Sequence, residues 1–139
     1  IVTFVVRPGH PLLMRKSFNI QDIRNYNVIF PTKDSIIATS AERFLISQGV
    51  GMLSDKIETI SVSFGKEYIR QSDAIWVISR GVVAREIEEG DLVELPIDTK
   101  ETLGPVGLTT RADTIATPTV QMFMNCISST AELLEKKMG

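Results

Sequence analysis

Ala74-Ile75-Trp76-Val77-Ile78 is an uninterrupted apolar run near the middle of the sequence. A strand without polar positions is typical of a parallel sheet that is covered on both faces. Asp73 precedes the run, and Ser79-Arg80-Gly81 follows it as a polar junction between a strand and a helix. The run therefore predicts a buried strand of an α/β fold, with the side chain of Trp76 in the core.

The preceding segment has the same strand-to-helix order. Tyr26 to Phe30 predicts a strand that Pro31 ends, and Ser35 offers an N-cap for a helix that extends to about Gln48. Apolar side chains recur on one face of this helix at spacings of three and four residues. The residues of that face are Ile37, Ala41, Phe44, Leu45 and Gln48.

Other segments extend this alternation towards the beginning of the sequence. The β-branched run Ile1 to Val6 predicts a strand, and a short helix follows around Ile20 to Arg24. Ile57 to Val62 predicts another strand, with a short helix near Lys66 to Gln71 that Ser63 caps. Strands that alternate with helices indicate βαβ units and a mainly parallel sheet.

The alternation continues after the central strand. We expect a helix from about Val82 to Glu88 closed by Gly90, then short strands at Leu92 to Leu95 and Val106 to Thr110. A long amphipathic helix begins after Thr117, which suits the N-cap, with Pro118 at its first position. Its apolar stripe comprises Val120, Phe123, Met124, Ile127, Ala131 and Leu134.

Composition and charge exclude several classes of function. The net charge of −2 and the lack of a basic run argue against nucleic-acid binding by this segment. Cys126 is the only cysteine, so no intrachain disulfide and no thiolate metal site can form. We expect no cofactor. The apolar runs are too short to span a membrane, and a cytoplasmic location is the expectation.

The loop Pro31-Thr32-Lys33-Asp34-Ser35 is the strongest candidate for ligand binding. It joins a strand to a helix N-terminus, where free N–H groups and the helix dipole favour an anion. Thr32 and Ser35 add hydroxyl groups, and Lys33 adds a positive charge. The alternative is an ordinary polar loop in which Ser35 only caps its helix.

Two similar junctions have structural alternatives of their own. Phe64, in Ser63-Phe64-Gly65-Lys66, could stack on a ligand, although core packing is the alternative. Arg80 could hold a carboxylate, but we favour an ion pair with Asp73 or Glu86.

No catalytic constellation is recognisable. The sequence has neither a G-x-S-x-G elbow nor a phosphate-binding glycine loop, and a serine triad would depend on His10, the only histidine. We interpret His10 as structural, in loop packing or in a hydrogen bond at the end of a strand, with a place in a cleft as the alternative. Enzymatic function is therefore not expected.

The order of these motifs resembles the effector-binding domain of LysR-type transcriptional regulators. The similarity covers essentially the whole chain, and regulators of protocatechuate catabolism and of a galactose-binding protein are nearest in appearance through Leu103 to Asp113. The segments that carry it are Arg7-Pro8-Gly9-His10-Pro11-Leu12, Ile29-Phe30-Pro31 with Ser35 and Gln48-Gly49, Asp73 to Arg80, Gly90-Asp91-Leu92-Val93-Glu94-Leu95-Pro96, and Val106 to Arg111 with Thr117-Pro118.

The resemblance implies a periplasmic-binding-protein-like (type II) fold with two lobes. On this interpretation residues 11–106 form a complete second lobe, and residues 1–10 and 107–139 belong to a partial first lobe. The winged helix-turn-helix that binds DNA is expected to be absent from this fragment. Phe123, Met124, Ile127 and Leu134 would then lack packing partners and favour association.

The resemblance also implies how such a domain acts. A small anionic or hydroxylated effector binds between the lobes and changes the geometry of a dimer or tetramer on promoter DNA. Subunit pairing is expected to use Ile36 to Gln48 and Ile57 to Val62, and DNA is contacted only through the absent domain. The implied effector-binding residues are Pro31, Thr32, Lys33, Ser35, Phe64 and Trp76.

Two other functions fit the same fold. A solute-binding protein of a transport system is the first alternative, which a signal peptide upstream would favour. An enzyme on the same fold is the second, and it would need catalytic groups from outside this segment.

Overall fold

The computed structural model describes residues 1–105 and 107–138, with side chains for residues 1–105 and 107–134. The chain divides into two compact units, Ile1–Gly104 and Pro105–Gly139. The first unit contains a mixed β-sheet with helices on both faces, and the second contains one long helix. The predicted α/β class therefore describes the first unit.

The sheet of the first unit has five strands in the order β3-β2-β4-β1-β5. The pairs β2–β3 and β2–β4 are parallel, whereas β1 is antiparallel to both β4 and β5. The strands are β1 (Val2–Val6), β2 (Val28–Phe30), β3 (Lys56–Glu58), β4 (Ile75–Ser79) and β5 (Val93–Glu94).

The helices follow the strands in the predicted order. Short 3₁₀ turns at Pro11–Met14, Ile20–Asn25, Arg80–Val82 and Lys100–Thr102 join the longer elements. The α-helices are α1 (Ile36–Ser47), α2 (Val62–Arg70), α3 (Ala84–Glu89) and α4 (Pro118–Met138).

β1 corrects one expectation. The sheet is mixed rather than mainly parallel, because β1 inserts antiparallel between β4 and β5. The first compact unit contains residues 1–10 together with residues 11–104. Assignment of the two units to the lobes of an effector domain stays a prediction.

Both faces of the sheet are covered, as the apolar run of β4 predicts. Alternate side chains of a strand point to opposite faces. Ile75 and Val77 therefore pack in the core beneath α1 with Phe4 and Phe44, whose ring centroids are 5.9 Å apart. Trp76 packs on the other face in a second cluster beneath α2 and α3.

The start of α2 differs from the prediction. β3 ends at Glu58, although the Thr59 N–H still donates to the Phe30 carbonyl (3.0 Å) of the neighbouring strand. Ser61, not Ser63, is the N-cap: its Oγ accepts a hydrogen bond from the Phe64 N–H at 3.2 Å. α2 therefore begins at Val62, four residues before the predicted position.

Segments near α3 and after the sheet also refine the prediction. A 3₁₀ turn precedes α3, which begins at Ala84, and Gly90 closes the helix with a φ of +79° as predicted. Val106 lies outside the described residues, and residues 107–110 are not a strand.

The first strand is tied to the end of the sheet unit by two threonines. The Val2 N–H donates to Thr102 Oγ1 (2.8 Å), and Thr99 Oγ1 donates to the Val2 carbonyl (2.6 Å). Further along the same edge of β1, the Leu95 N–H donates to the Phe4 carbonyl (2.8 Å). Two side chains therefore take the place of a strand beside Val2, where β5 no longer reaches.

The second unit consists mainly of α4. Thr117 and Pro118 begin it as predicted, and the Val120 N–H donates to Thr117 Oγ1 at 3.4 Å. Within its unit the apolar stripe is largely exposed, 66 % for Phe123 and 54 % for Leu134. None of the helices that the structure describes is long and apolar enough to cross a membrane.

Candidate functional site

A cavity of about 180 Å³ lies where β2 and β3 end and α1 and α2 begin. Parallel neighbouring strands bring their carboxyl ends to the same edge of a sheet, and ligands of α/β proteins bind at such edges. The lining residues are Pro31, Thr32, Ser35, Ile37, Thr59, Ile60, Ser61, Val62, Trp76 and Ile78.

The loop after β2 forms the first wall of the cavity. The Ser35 N–H donates to the Thr32 carbonyl (2.9 Å), so the backbone turns immediately after Pro31. Ser35 Oγ accepts a hydrogen bond from the Ile37 N–H at 3.2 Å and caps α1. The loop therefore brings two hydroxyl groups to a helix N-terminus.

The loop after β3 forms the second wall in a similar way. The Ser61 N–H donates to Thr59 Oγ1 (3.0 Å), and Ser61 Oγ caps α2. Two helix N-termini with serine caps thus border one cavity. A serine that accepts a hydrogen bond from its helix still has a hydroxyl proton to donate to a ligand.

The remaining lining is apolar. Trp76 and Ile78 come from β4 on the face beneath α2, and Ile37 and Val62 come from the first turns of α1 and α2. Such a cavity suits a ligand with an apolar body and a polar or anionic end. The partial positive charge of the helix N-termini favours the anionic end.

The structure brings together four of the six residues predicted for effector binding. Pro31, Thr32, Ser35 and Trp76 line the cavity, whereas Lys33 is exposed and outside the lining. Phe64 is also outside it, with 41 % of its surface exposed and its ring centroid 5.4 Å from that of Tyr68. The binding role of all six residues stays a prediction.

The sequence interpretation did not identify the wall formed by Thr59, Ile60, Ser61 and Val62. The signal that points to it is topological, because loops after neighbouring parallel strands meet at one sheet edge. Placing the cap at Ser63 instead of Ser61 moved the predicted helix start away from this edge.

Arg80 has a different partner from the two that were considered. Its Nε donates to Glu94 Oε1 (3.1 Å), and Thr3 Oγ1 donates to the same oxygen (2.8 Å). Asp73 instead pairs with Arg7 (2.7 Å), and Glu86 pairs with Lys66. The prediction of an Asp73 or Glu86 partner is therefore wrong, because Glu94 of β5 reaches Arg80 from the other side of β1.

His10 is structural, as interpreted. It is fully buried, its Nδ1 accepts a hydrogen bond from the Leu12 N–H (3.1 Å), and its Nε2 lies 3.0 Å from the Asp73 carbonyl. Its ring also packs on Tyr26, with centroids 4.8 Å apart. Both ring nitrogens are thus engaged by the backbone, and His10 is not part of the cavity.

The clearly shifted pKa values belong to ion pairs outside the cavity. The hydrogen bond from Lys66 lowers the pKa of Glu86, and the hydrogen bond with Glu58 raises the pKa of Lys56. Among the residues that the structure describes, no group of three or more His, Cys, Asp or Glu side chains could hold a metal ion.

A larger, more open depression of about 480 Å³ lies elsewhere on the first unit. It is bordered by Phe18, Gln48 and Lys100, among other residues, and no α-helix begins at it. The smaller cavity therefore has the better arrangement for an anion.

Known proteins are similar in sequence to this chain over almost its whole length. PcaQ of Agrobacterium fabrum, an HTH-type transcriptional regulator, is 46 % identical over 130 residues, which cover 94 % of this chain and 42 % of PcaQ. YdcI of Escherichia coli, an uncharacterized HTH-type transcriptional regulator, is 28 % identical over 88 % of this chain and 40 % of its own length. The chain thus spans about two fifths of these relatives.

The fold is similar to that of solved regulatory domains. The regulatory domain of CcmR from Synechocystis, solved in complex with 2-PG, matches with a TM-score of 0.64 at 19 % identity, over 93 % of this chain and 62 % of that one. The predicted periplasmic-binding-protein-like (type II) fold class is confirmed by this likeness and by the family assignment.

The family described as "LysR substrate binding domain" matches residues 2–132. This match covers all five strands of the sheet and most of α4. The resemblance inferred from the order of the motifs is confirmed, and the chain belongs to the LysR substrate-binding-domain family.

Proposed function

We propose that this chain is the ligand-sensing part of a bacterial LysR-type transcriptional regulator. Its effector binds in the cavity between the starts of α1 and α2. The observation that carries the proposal is the convergence of two serine-capped helix N-termini on one partly apolar cavity. The names of the similar full-length proteins support regulation rather than solute transport.

The cavity chemistry suits a small carboxylic acid that also carries hydroxyl groups. The carboxylate faces the hydroxyls of Thr32, Ser35 and Ser61 at the two helix N-termini, and the apolar body packs on Trp76 and Ile78. Lys33, exposed on the adjacent loop, adds positive charge near the entrance without lining the cavity. Aromatic acids fit this pattern, and the resemblance to regulators of protocatechuate catabolism supports the same class of ligand.

The effector is bound rather than converted. The hydroxyls of Ser35 and Ser61 accept hydrogen bonds from helix N–H groups, and the only histidine is engaged by the backbone away from the cavity. His10 is therefore not positioned to activate these serines.

The full-length protein acts as a DNA-binding oligomer in the cytoplasm. A separate segment contacts the promoter, and the effector shifts the arrangement of subunits on DNA. This requires that the effector bind one arrangement more tightly than the other, since a ligand with equal affinity for both shifts nothing.

The test is a thermal-shift screen of the full-length protein with benzoate, 3,4-dihydroxybenzoate, cis,cis-muconate and neutral sugars. A ligand at about a hundred times its Kd stabilises the folded state by about 2.7 kcal/mol, which is readily detected. We expect the acids to raise the Tm and the sugars to have less effect.

Matched variants locate the site. Thr32→Val removes one cavity hydroxyl without changing the shape of the side chain, and we expect it to reduce the shift. Thr39→Val, on the exposed part of α1, is the control and should leave the shift intact. If Thr32→Val leaves the Tm shift unchanged, the ligand binds elsewhere. If none of the acids raises the Tm, the proposed effector class is contradicted.

A further inference from the structure

α2 approaches the sheet most closely at Gly65, which packs on the indole ring of Trp76. A Cβ atom at position 65 would lie 2.5 Å from Cζ2, 2.6 Å from Cε2 and 3.0 Å from Cη2 of Trp76. Carbon atoms in normal contact are about 3.5–4.0 Å apart. Even a methyl group therefore cannot fit unless the indole moves.

The backbone does not require glycine at this position. Gly65 is not among the glycines with positive φ, and it lies within α2. In the interior of a helix, glycine is less favourable than alanine by about 1 kcal/mol. What glycine contributes here is the missing side chain, which lets α2 lie directly on the ring.

The indole connects this contact to the cavity. Trp76 is only 2 % exposed and shares its core cluster with Ile29, Ile69 and Val83, yet it also lines the cavity. Close-packed side chains resist displacement, whereas the cavity beside the ring is empty space. A ring pushed away from α2 therefore moves towards the cavity.

We propose that Gly65 is a positioning residue that limits how far the Trp76 indole extends into the cavity, and that it thereby sets the size of the effector's apolar part. The proposal rests on the proposed function of the cavity. It adds a determinant of ligand size that does not itself line the site.

The first measurement needs no ligand. Trp76 is the only tryptophan of the 139 residues, and in the full-length protein its emission is isolated by subtracting the spectrum of Trp76→Phe. We expect Gly65→Ala to shift the emission maximum. Gly81→Ala is the control, because nothing lies within 4 Å of a Cβ at that position. An emission maximum that Gly65→Ala leaves unchanged overturns the proposal.

The second measurement compares the Kd values of benzoate and 2-naphthoate, which share a carboxylate and differ by one fused ring. We expect Gly65→Ala to raise the Kd of 2-naphthoate relative to that of benzoate by about tenfold, within the range that small changes in pocket volume produce. Trp76→Phe, with a smaller ring, should shift the ratio in the opposite direction, and the double variant should lie between the two.

The outcomes separate this proposal from the function on which it rests. If both acids bind but neither Gly65→Ala nor Trp76→Phe changes the ratio of their Kd values, only the proposed role of Gly65 is overturned. If neither acid binds the unsubstituted protein, the proposed effector class fails and the size-setting role fails with it. Should Gly65→Ala not fold, the ratio in Trp76→Phe decides the question.

Discussion

The sheet unit Ile1–Gly104 and the helix α4 use their apolar residues in opposite ways. Phe44 in α1 is 2 % exposed and packs on Phe4, whereas Phe123 in α4 is 66 % exposed within its unit. Both helices have an apolar stripe at helical spacing, so this pattern alone does not determine burial. The sheet unit contains the partners on which its helices pack, whereas Phe123 of α4 stays largely exposed.

The largest expected effect tests this difference directly. Phe44→Ala leaves a cavity in the core and should lower the free energy of unfolding of the 139-residue chain by about 3–5 kcal/mol. Phe123→Ala removes the same atoms from an exposed position and should change it by less than about 0.5 kcal/mol. Urea denaturation followed by circular dichroism measures both, and equal losses would contradict the comparison.

Two threonine hydroxyls give a second matched pair. Thr99 is buried and donates to the Val2 carbonyl (2.6 Å), whereas Thr130 is exposed on α4 and donates to the Cys126 carbonyl (2.8 Å). Thr99→Val leaves a carbonyl without its donor and should cost about 1–3 kcal/mol. Thr130→Val should have little effect, because water replaces the lost donor. The comparison fails if the two variants have the same urea midpoint.

The smallest expected effect concerns the surface of the sheet unit, where Lys66 of α2 pairs with Glu86 of α3. The pKa of Glu86 is lowered in the folded chain. The ion pair therefore stabilises the folded chain fully above the ordinary carboxyl pKa of 4.5, and this stabilisation is lost as the pH falls through the lowered pKa. Glu86→Gln should therefore cost less than about 1 kcal/mol at pH 7, and the difference from the unsubstituted chain should disappear at an acidic pH below the lowered pKa of Glu86.

Urea midpoints at both pH values provide the measurement, with Lys66→Met as the reciprocal variant. The double variant should lose no more stability than either single one at pH 7. A loss in Glu86→Gln that persists unchanged at low pH would show that the carboxylate charge is not its cause.

Most elements of the fold were predictable from local patterns. The apolar β-branched runs identify β1 and β4, Ser35 and Gly90 mark helix ends, and Thr117 marks the start of α4. The partners of β1 were not predictable in this way, because its side chains pack equally well beside a parallel or an antiparallel neighbour. Pairing depends on segments more than 70 residues away, which no local period records.

The candidate site was predictable to a similar extent. Pro31, Thr32 and Ser35 follow from the strand-to-helix junction, since anions favour helix N-termini. Ser61 was missed because Ser63 is equally suitable as a cap, and the choice depends on the path of the chain after β3, where the Ser61 N–H donates to Thr59 Oγ1. The contact between Gly65 and Trp76 also has no local signal, because it joins a helix to the face of a strand from a different segment of the chain.

The position of β1 has a consequence for synthesis of the protein on the ribosome. Val5 pairs with Trp76, so β1 emerges more than 70 residues before its partner strand. At about 5–20 residues per second, translation needs roughly 4 to 14 s to supply that partner. The nascent chain therefore presents the apolar segment Val2–Val6 without its β4 partner throughout this interval, and unpaired apolar strands are prone to aggregation. Slower translation of residues 7–74 extends the same interval and increases the opportunity for misfolding.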